Sequence, residues 1–371
     1  MLEFRLPVVT YLSTFLVVGF SLSVLGPALT ELRSRTGSDI ADIGILFVGQ
    51  SLGYIVGSLL GGRLYDRFDG HRVAGASLVL MATGLAILPQ FDQRGGLFLA
   101  VAILGAGAAT TDVGANTLLL WQLGAGSGRA MNMLHLCFGI GALSAPLLVH
   151  ASLDMSVWGA ALVCLALAVW LVAVPAPSAP LARDEQTAHD RPMLAILASF
   201  FLLYVGLEVG FAGWVQTYGE EIRFSELAAS WLTTTFWIGF TAGRLLASAL
   251  GHRFRPKMLL IASCSLTILA ALVLVGGDGR TAPVWVGVAL MGVATAPQFP
   301  VMLTYLERRI RVTGSATAWF VGGAGVGGLI FPWLIGRWFD ARGAATLPWA
   351  MLVLGVLTFG SFGLSNRRLG G

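Results

Sequence analysis

Two acids, Asp112 and Glu208, stand inside long apolar stretches of this chain. An ionised carboxylate at mid-bilayer is unfavourable by about 2.5–3.5 kcal/mol on insertion scales, so an acid in such a stretch needs a reason. Held away from water, it can trade a proton, bind a small cation, or accept bonds from hydroxyl groups. Polar neighbours recur at helical spacing. Asn116 lies four residues after Asp112, and Gln50 and Tyr54 share a face in the same way. Asn132 and His135 share another face. His135 is a candidate proton relay, and it equally suits a bond within a bundle. Trp214, Gln216, Trp231 and Trp237 follow Glu208 along the chain. Each tryptophan fits packing or an interfacial belt as readily as a ligand plate. Gly206, Gly210 and Gly213 flank Glu208 and either loosen that helix for gating or let a neighbour pack closely.

The elements that position these residues are membrane helices. The chain has 371 residues, 56% hydrophobic and 11% charged, against about 25% charged in soluble domains. A span needs about 20 mostly apolar residues. Twelve such runs can be drawn, at 6–32, 40–64, 72–89, 95–122, 130–151, 156–174, 193–220, 225–250, 256–275, 281–306, 312–338 and 345–364. The run after Arg5 is too long for the core of a signal peptide and reads as the first span. Most connections are short. The Pro-rich, charged stretch 175–192 divides a first bundle, 1–174, from a second, 193–371.

The formal charge of +4 does not indicate nucleic acid, because Lys and Arg sit at helix ends and form no patch. With the N-terminus placed in the cytoplasm, fourteen of them fall on the inner side (Arg5, Arg67, Arg72, Arg129, Arg183, Arg191, Arg253, Arg255, Lys257, Arg308, Arg309, Arg311, Arg367, Arg368). Seven fall outside: Arg33, Arg35, Arg94, Arg223, Arg280, Arg337 and Arg342. The positive-inside rule therefore predicts both termini and the linker in the cytoplasm. Cys137, Cys164 and Cys264 lie in apolar runs and read as small hydrophobes. No nucleophile–base pair, phosphate loop or metal-ligand cluster stands out, so neither an enzyme nor a cofactor or metal is expected.

The halves repeat. At an offset of 186, Arg67-Phe68 meets Arg253-Phe254, and Gly128, Ala130, Gly139, Gly141, Leu143 and Pro146 meet Gly314, Ala316, Gly325, Gly327, Leu329 and Pro332. Six spans per half make the repeat parallel, with its axis along the membrane normal. The same offset pairs Asp112 with Gln298, which predicts one polar group from each half at matching depth.

The loop after the second span reads Gly62-Arg63-Leu64-Tyr65-Asp66-Arg67-Phe68-Asp69-Gly70-His71-Arg72. It resembles the G-x-L-x-D-R-x-G-R-R/K motif of the major facilitator superfamily, with one extra residue before the second glycine. The resemblance implies an all-α membrane protein of the major facilitator fold, twelve transmembrane helices in two six-helix parallel-repeat halves. It gives Gly62, Asp66, Arg67 and Arg72 a conformational role at the cytoplasmic ends. Within the superfamily, four further segments resemble the fucose/glucose-type symporter branch: Thr111-Asp112-Val113-Gly114-Ala115-Asn116; Tyr204-Val205-Gly206-Leu207-Glu208 with Gly213-Trp214; Gly243-Arg244 with Arg253-Phe254-Arg255-Pro256-Lys257; and Gly314-Ser315 with Gly327-Gly328-Leu329-Ile330-Phe331-Pro332. Fucose members carry an acid in the first span, whereas 7–32 has none before Glu31. Coupling through span one is therefore not carried over.

The resemblance implies a secondary transporter in a cell (inner) membrane, multi-pass and monomeric, taking up a monosaccharide of the glucose/mannose kind with a proton, or with sodium. Asp112 and Glu208 are then the cation-coupling candidates. Asn116, Gln298, Gln50, Tyr54, Trp214, Gln216, Trp231, Trp237, His135 and Asn132 are the sugar-binding ones. Proton-antiport efflux of an apolar compound and a non-transporting sugar sensor are the competing readings. A sensor usually needs a soluble output domain, and the longest cytoplasmic stretch expected here is the short linker.

Overall fold

A computed structural model describes residues 6–123, 128–177, 191–250, 253–310 and 314–369. The Asn132 side chain and most of the 175–192 linker lie outside the described residues. The described residues fold into fifteen α-helices. They are α1 (Leu6–Ser23), α2 (Leu25–Thr36), α3 (Ile40–Ile43), α4 (Ile45–Arg67), α5 (Gly70–Ile87), α6 (Arg94–Leu123), α7 (Gly128–Ala151), α8 (Leu153–Val172), α9 (Arg191–Glu221), α10 (Glu226–Leu250), α11 (Pro256–Gly277), α12 (Thr281–Thr295), α13 (Gln298–Glu307), α14 (Gly314–Arg342) and α15 (Thr346–Arg368).

Among the described residues, ten helical spans are long and apolar enough to cross a membrane, and α1 with α2, bent by 44°, makes an eleventh if the pair is one span. The remaining long helix, α10, has 25 residues but carries Ser230, Thr233, Thr234, Thr241 and Arg244 within them. Apolar side chains point outward, as a lipid-facing surface requires. Leu162 is 68% and Val169 74% exposed. Ends are set locally. Asp69 accepts from the Arg72 amide to cap α5, and Ser152 accepts from Met155 to cap α8. Pro297 cannot donate a backbone bond, and the span of α12 and α13 breaks there.

The chain divides into two compact units, Met1–Asp39 with Ile45–Ala182, and Ile40–Gly44 with Arg183–Gly371. In the first, α4 crosses α6, α1 pairs with α7, and α5 packs on α6 and α8. Arg35 ties α2 to the start of α8 by pairing with Glu31 and, at 2.7 Å, with Asp154. In the second, α9 pairs with α14 and α15, α12 packs on α10 and α11, and the short α3 lies against α14.

Glycines set how closely these helices approach, and they do so in duplicate. A side chain at Gly141 would meet the Leu16 carbonyl oxygen at 1.9 Å, and one at Gly327 would meet that of Leu202 at 1.9 Å. Both members of each pair stand 186 residues apart. Gly53 and Gly57 press on the carbonyls of Ala102 and Ala106, and Gly239 and Gly243 press on those of Ala289 and Val293. Gly105 presses on Gln50, and Gly292 on Phe236. In these contacts α4 maps onto α10 at 186, but α6 maps onto α12 at 187. The repeat is therefore carried by backbone-to-backbone packing, the main source of association between helices in lipid.

Candidate functional site

In the first unit, Gly53, Gly57 and Gly105 bring α4 and α6 into backbone contact, and Thr110 Oγ1 donates to the Gly57 carbonyl at 3.0 Å. That approach puts Tyr54 beside Asp112. The Tyr54 hydroxyl donates to Asp112 Oδ2 at 2.6 Å, and Asn116 Nδ2 donates to Oδ1 at 2.8 Å. Both carboxylate oxygens thus receive a donor, the arrangement a half-buried ionised acid requires. Gln50, one turn before Tyr54, is buried, and its Nε2 meets no partner among the described residues. Four residues expected at a binding site therefore share this crossing. His135 lies edge-on to the Phe15 ring at 5.6 Å on the α1–α7 contact.

In the second unit, Glu208 accepts a hydrogen bond from Tyr204, one turn earlier on α9. Tyr204 is buried and stacks on Phe200, with Phe299 beside it. The Arg244 guanidinium lies 4.6 Å over the Phe240 ring, and its charge reaches Glu208. Neither Tyr204 nor Arg244 was singled out from the sequence as a site residue. The four-residue spacing of Tyr204 and Glu208 was the available signal. Arg244 enters the sequence reading only within the Gly243-Arg244 segment that carries the family resemblance.

Several expected site residues are placed elsewhere. Gln298 is fully buried inside the second bundle, where Nε2 donates to Thr267 at 2.8 Å and to the Ala294 carbonyl at 3.3 Å. The glycine contacts on α12 follow a register of 187, one residue off the 186 that pairs Gln298 with Asp112. Trp214 donates to the Pro332 carbonyl at 2.8 Å and stacks on Phe339, both on α14. Trp237 packs edge-on to Phe236 and Phe240. Trp231 is 43% exposed. Gln216 is buried, with Nε2 donating to Glu220 at 3.2 Å. The glycines do not break span seven, because α9 runs unbroken from Arg191 to Glu221. Gly206 and Gly210 face α14, where a side chain would meet Phe331 at 2.1 Å and Ile335 at 2.7 Å. Asp66, Arg67 and Arg72 are exposed and form no ion pair among the described residues.

The sequence profile of the Major Facilitator Superfamily matches residues 11–225 and 193–365. The chain is 26% identical over 371 residues to sodium-dependent glucose transporter 1A of Mus musculus, covering 87% of each. It is also 26% identical to sodium-dependent glucose transporter 1 of Homo sapiens, covering 87% of this chain and 72% of the relative. Among solved structures, a point mutant of the nucleoside transporter NupG aligns with a TM-score of 0.78 at 17% identity, over 97% of this chain and 99% of the other. A D-xylose-proton symporter aligns with a TM-score of 0.75 at 15% identity, over 95% and 96%. A profile match spanning both bundles, on a fold of paired helical units, means that this chain belongs to the major facilitator superfamily.

Proposed function

We propose that this chain takes up a monosaccharide by alternating access, drawing on a proton gradient through Asp112. The observation that carries this reading is the Tyr54–Asp112–Asn116 cluster at the α4–α6 crossing, with the open amide of Gln50 one turn away. Sugar hydroxyls need donors and acceptors close together, and this cluster supplies both. The glucose-transporting relatives supply the substrate class.

Each Asp112 oxygen is engaged by a donor. A sodium ion needs several oxygens arranged around it, whereas a proton needs one, and the two donors already occupy one lone pair of each Asp112 oxygen. Proton transfer to Asp112 only reverses one bond, since the Tyr54 oxygen can also accept. Glu208, held by Tyr204, then engages sugar hydroxyls or steadies its own bundle. A sodium-coupled version has one observation in its favour, the sodium dependence named for the relatives.

The test is sugar exchange and uphill uptake in the same proteoliposomes, under a proton or a sodium gradient. Glucose is expected to accumulate under the proton gradient. Asp112→Asn is expected to abolish accumulation while exchange persists. Accumulation under sodium alone overturns the proton assignment. Unimpaired uphill uptake by Asp112→Asn overturns the role of Asp112.

A further inference from the structure

Outside both clusters, the second unit carries a slot between α14 and α15 that is open at the surface and encloses about 470 Å³. The two helices lean on other partners. α14 packs chiefly on α9, and α15 on α9 and α11, which leaves the slot unfilled between them. Its α14 wall includes Phe331, Trp338 and Arg342, spaced on one helical face, and its α15 wall includes Trp349, Val353 and Leu357. The walls are almost wholly apolar, and Arg342 is the single cation among them.

We propose that this slot binds one anionic phospholipid, with an acyl chain between the helices and the phosphate on Arg342. Depth supports the assignment. Thr346 and Leu357 both line the slot, and eleven residues at 1.5 Å make it about 16 Å deep. One leaflet of a hydrocarbon core of about 30 Å is about 15 Å. The slot is therefore as deep as one leaflet, with its cation at the mouth. Trp338 and Trp349 are 49% and 55% exposed at that mouth, where indole rings suit the headgroup level. Arg342 is exposed and forms no ion pair among the described residues. Asp340 stands two residues from both Trp338 and Arg342, which turns it to the opposite side of the helix. Arg337 is also off the slot and lies over the Trp333 ring at 5.8 Å. An anionic headgroup is favoured over a zwitterionic one because a choline charge opposes the guanidinium as the phosphate approaches. One such arginine gives about a fivefold preference.

The test is native mass spectrometry of the full chain extracted gently from vesicles of phosphatidylglycerol and phosphatidylcholine in equal amounts, with matched acyl chains. The wild type is expected to retain one phosphatidylglycerol about fivefold over phosphatidylcholine. Arg342→Gln removes the preference, and Arg337→Gln keeps it. Val353→Trp fills the slot and loses both lipids, with helical content unchanged by circular dichroism. Equal retention of the two lipids by the wild type overturns the proposal. So does equal loss in the two arginine variants, or a retained lipid in Val353→Trp.

Discussion

At the scale of single residues, the two acids differ in how they are neutralised. Asp112 has neutral donors from Tyr54 and Asn116, whereas Glu208 has a tyrosine and the field of Arg244. A hydrogen bond to a charged group contributes about 1.5–3 kcal/mol. Tyr54→Phe is therefore expected to raise the half-saturation or weaken gradient-driven uptake by at least about tenfold, read by initial rates in proteoliposomes. For the other acid, a charge left unpaired on burial is more damaging than a pair removed together. Arg244→Gln and Glu208→Gln should each lower the unfolding temperature in detergent, and the double variant should recover part of the loss. If the two losses add, the residues are not coupled. The sequence made Asp112 and Asn116 legible, because an acid in an apolar run and a four-residue spacing both show without coordinates. It did not show Tyr54 as the partner of Asp112, since the α4–α6 register is a tertiary fact. Gln298 illustrates the same limit. Its bonds to Thr267 and Ala294 inside the second bundle show only in the fold.

At the scale of elements, glycine decides which helices touch and at what height. An ordinary Cβ contact is no closer than about 3.4 Å, yet a side chain at Gly105 would sit 2.2 Å from the Gln50 carbonyl and one at Gly292 2.2 Å from that of Phe236. These neighbours are backbone and cannot rotate away. Gly105→Ala is thus expected to destabilise by about 3 kcal/mol, the upper end of ordinary overpacking. It should also separate Tyr54 from Asp112. Gly62→Ala, at a position with nothing within 4 Å, should unfold like the wild type in the same thermal assay. A smaller effect at Gly105 than at Gly62 would contradict this account of the crossing. The offset of 186 was visible in the sequence at the loops and at spans five and eleven. The equivalent pairs Gly53/Gly239 and Gly57/Gly243 were there too, but glycine is common in membrane helices and carries weight only once its contact is known. The fate of α9 was likewise open in the sequence. The same glycines would serve a broken helix, and only Phe331 and Ile335 on α14 show that they serve close packing.

At the scale of the whole molecule, the repeat and the loop charges constrain orientation together. Six spans per half, as the sequence repeat predicts, would put the joining segment on the side of both termini. The fourteen-to-seven division of Lys and Arg then predicts that side to be the cytoplasm. Two probes make this testable. A cysteine within 183–190 is expected to react with an impermeant maleimide only when the reagent reaches the cytoplasmic face. A cysteine at Ser225, exposed in the turn between α9 and α10, is expected to react only from outside. Cys164 and Cys264 are buried and Cys137 is half-buried, so labelling belongs in a background where all three are replaced. The two probes are separated in sequence by the single long helix α9, whose 31 residues at 1.5 Å extend about 46 Å. That exceeds a hydrocarbon core of about 30 Å, so the probes must label from opposite faces if α9 spans the membrane. Labelling of both from one face would remove α9 as a span and break the six-and-six count. Labelling from opposite faces in the reverse sense would keep the fold and invert the orientation, which would make the Lys and Arg excess an exception to the positive-inside rule.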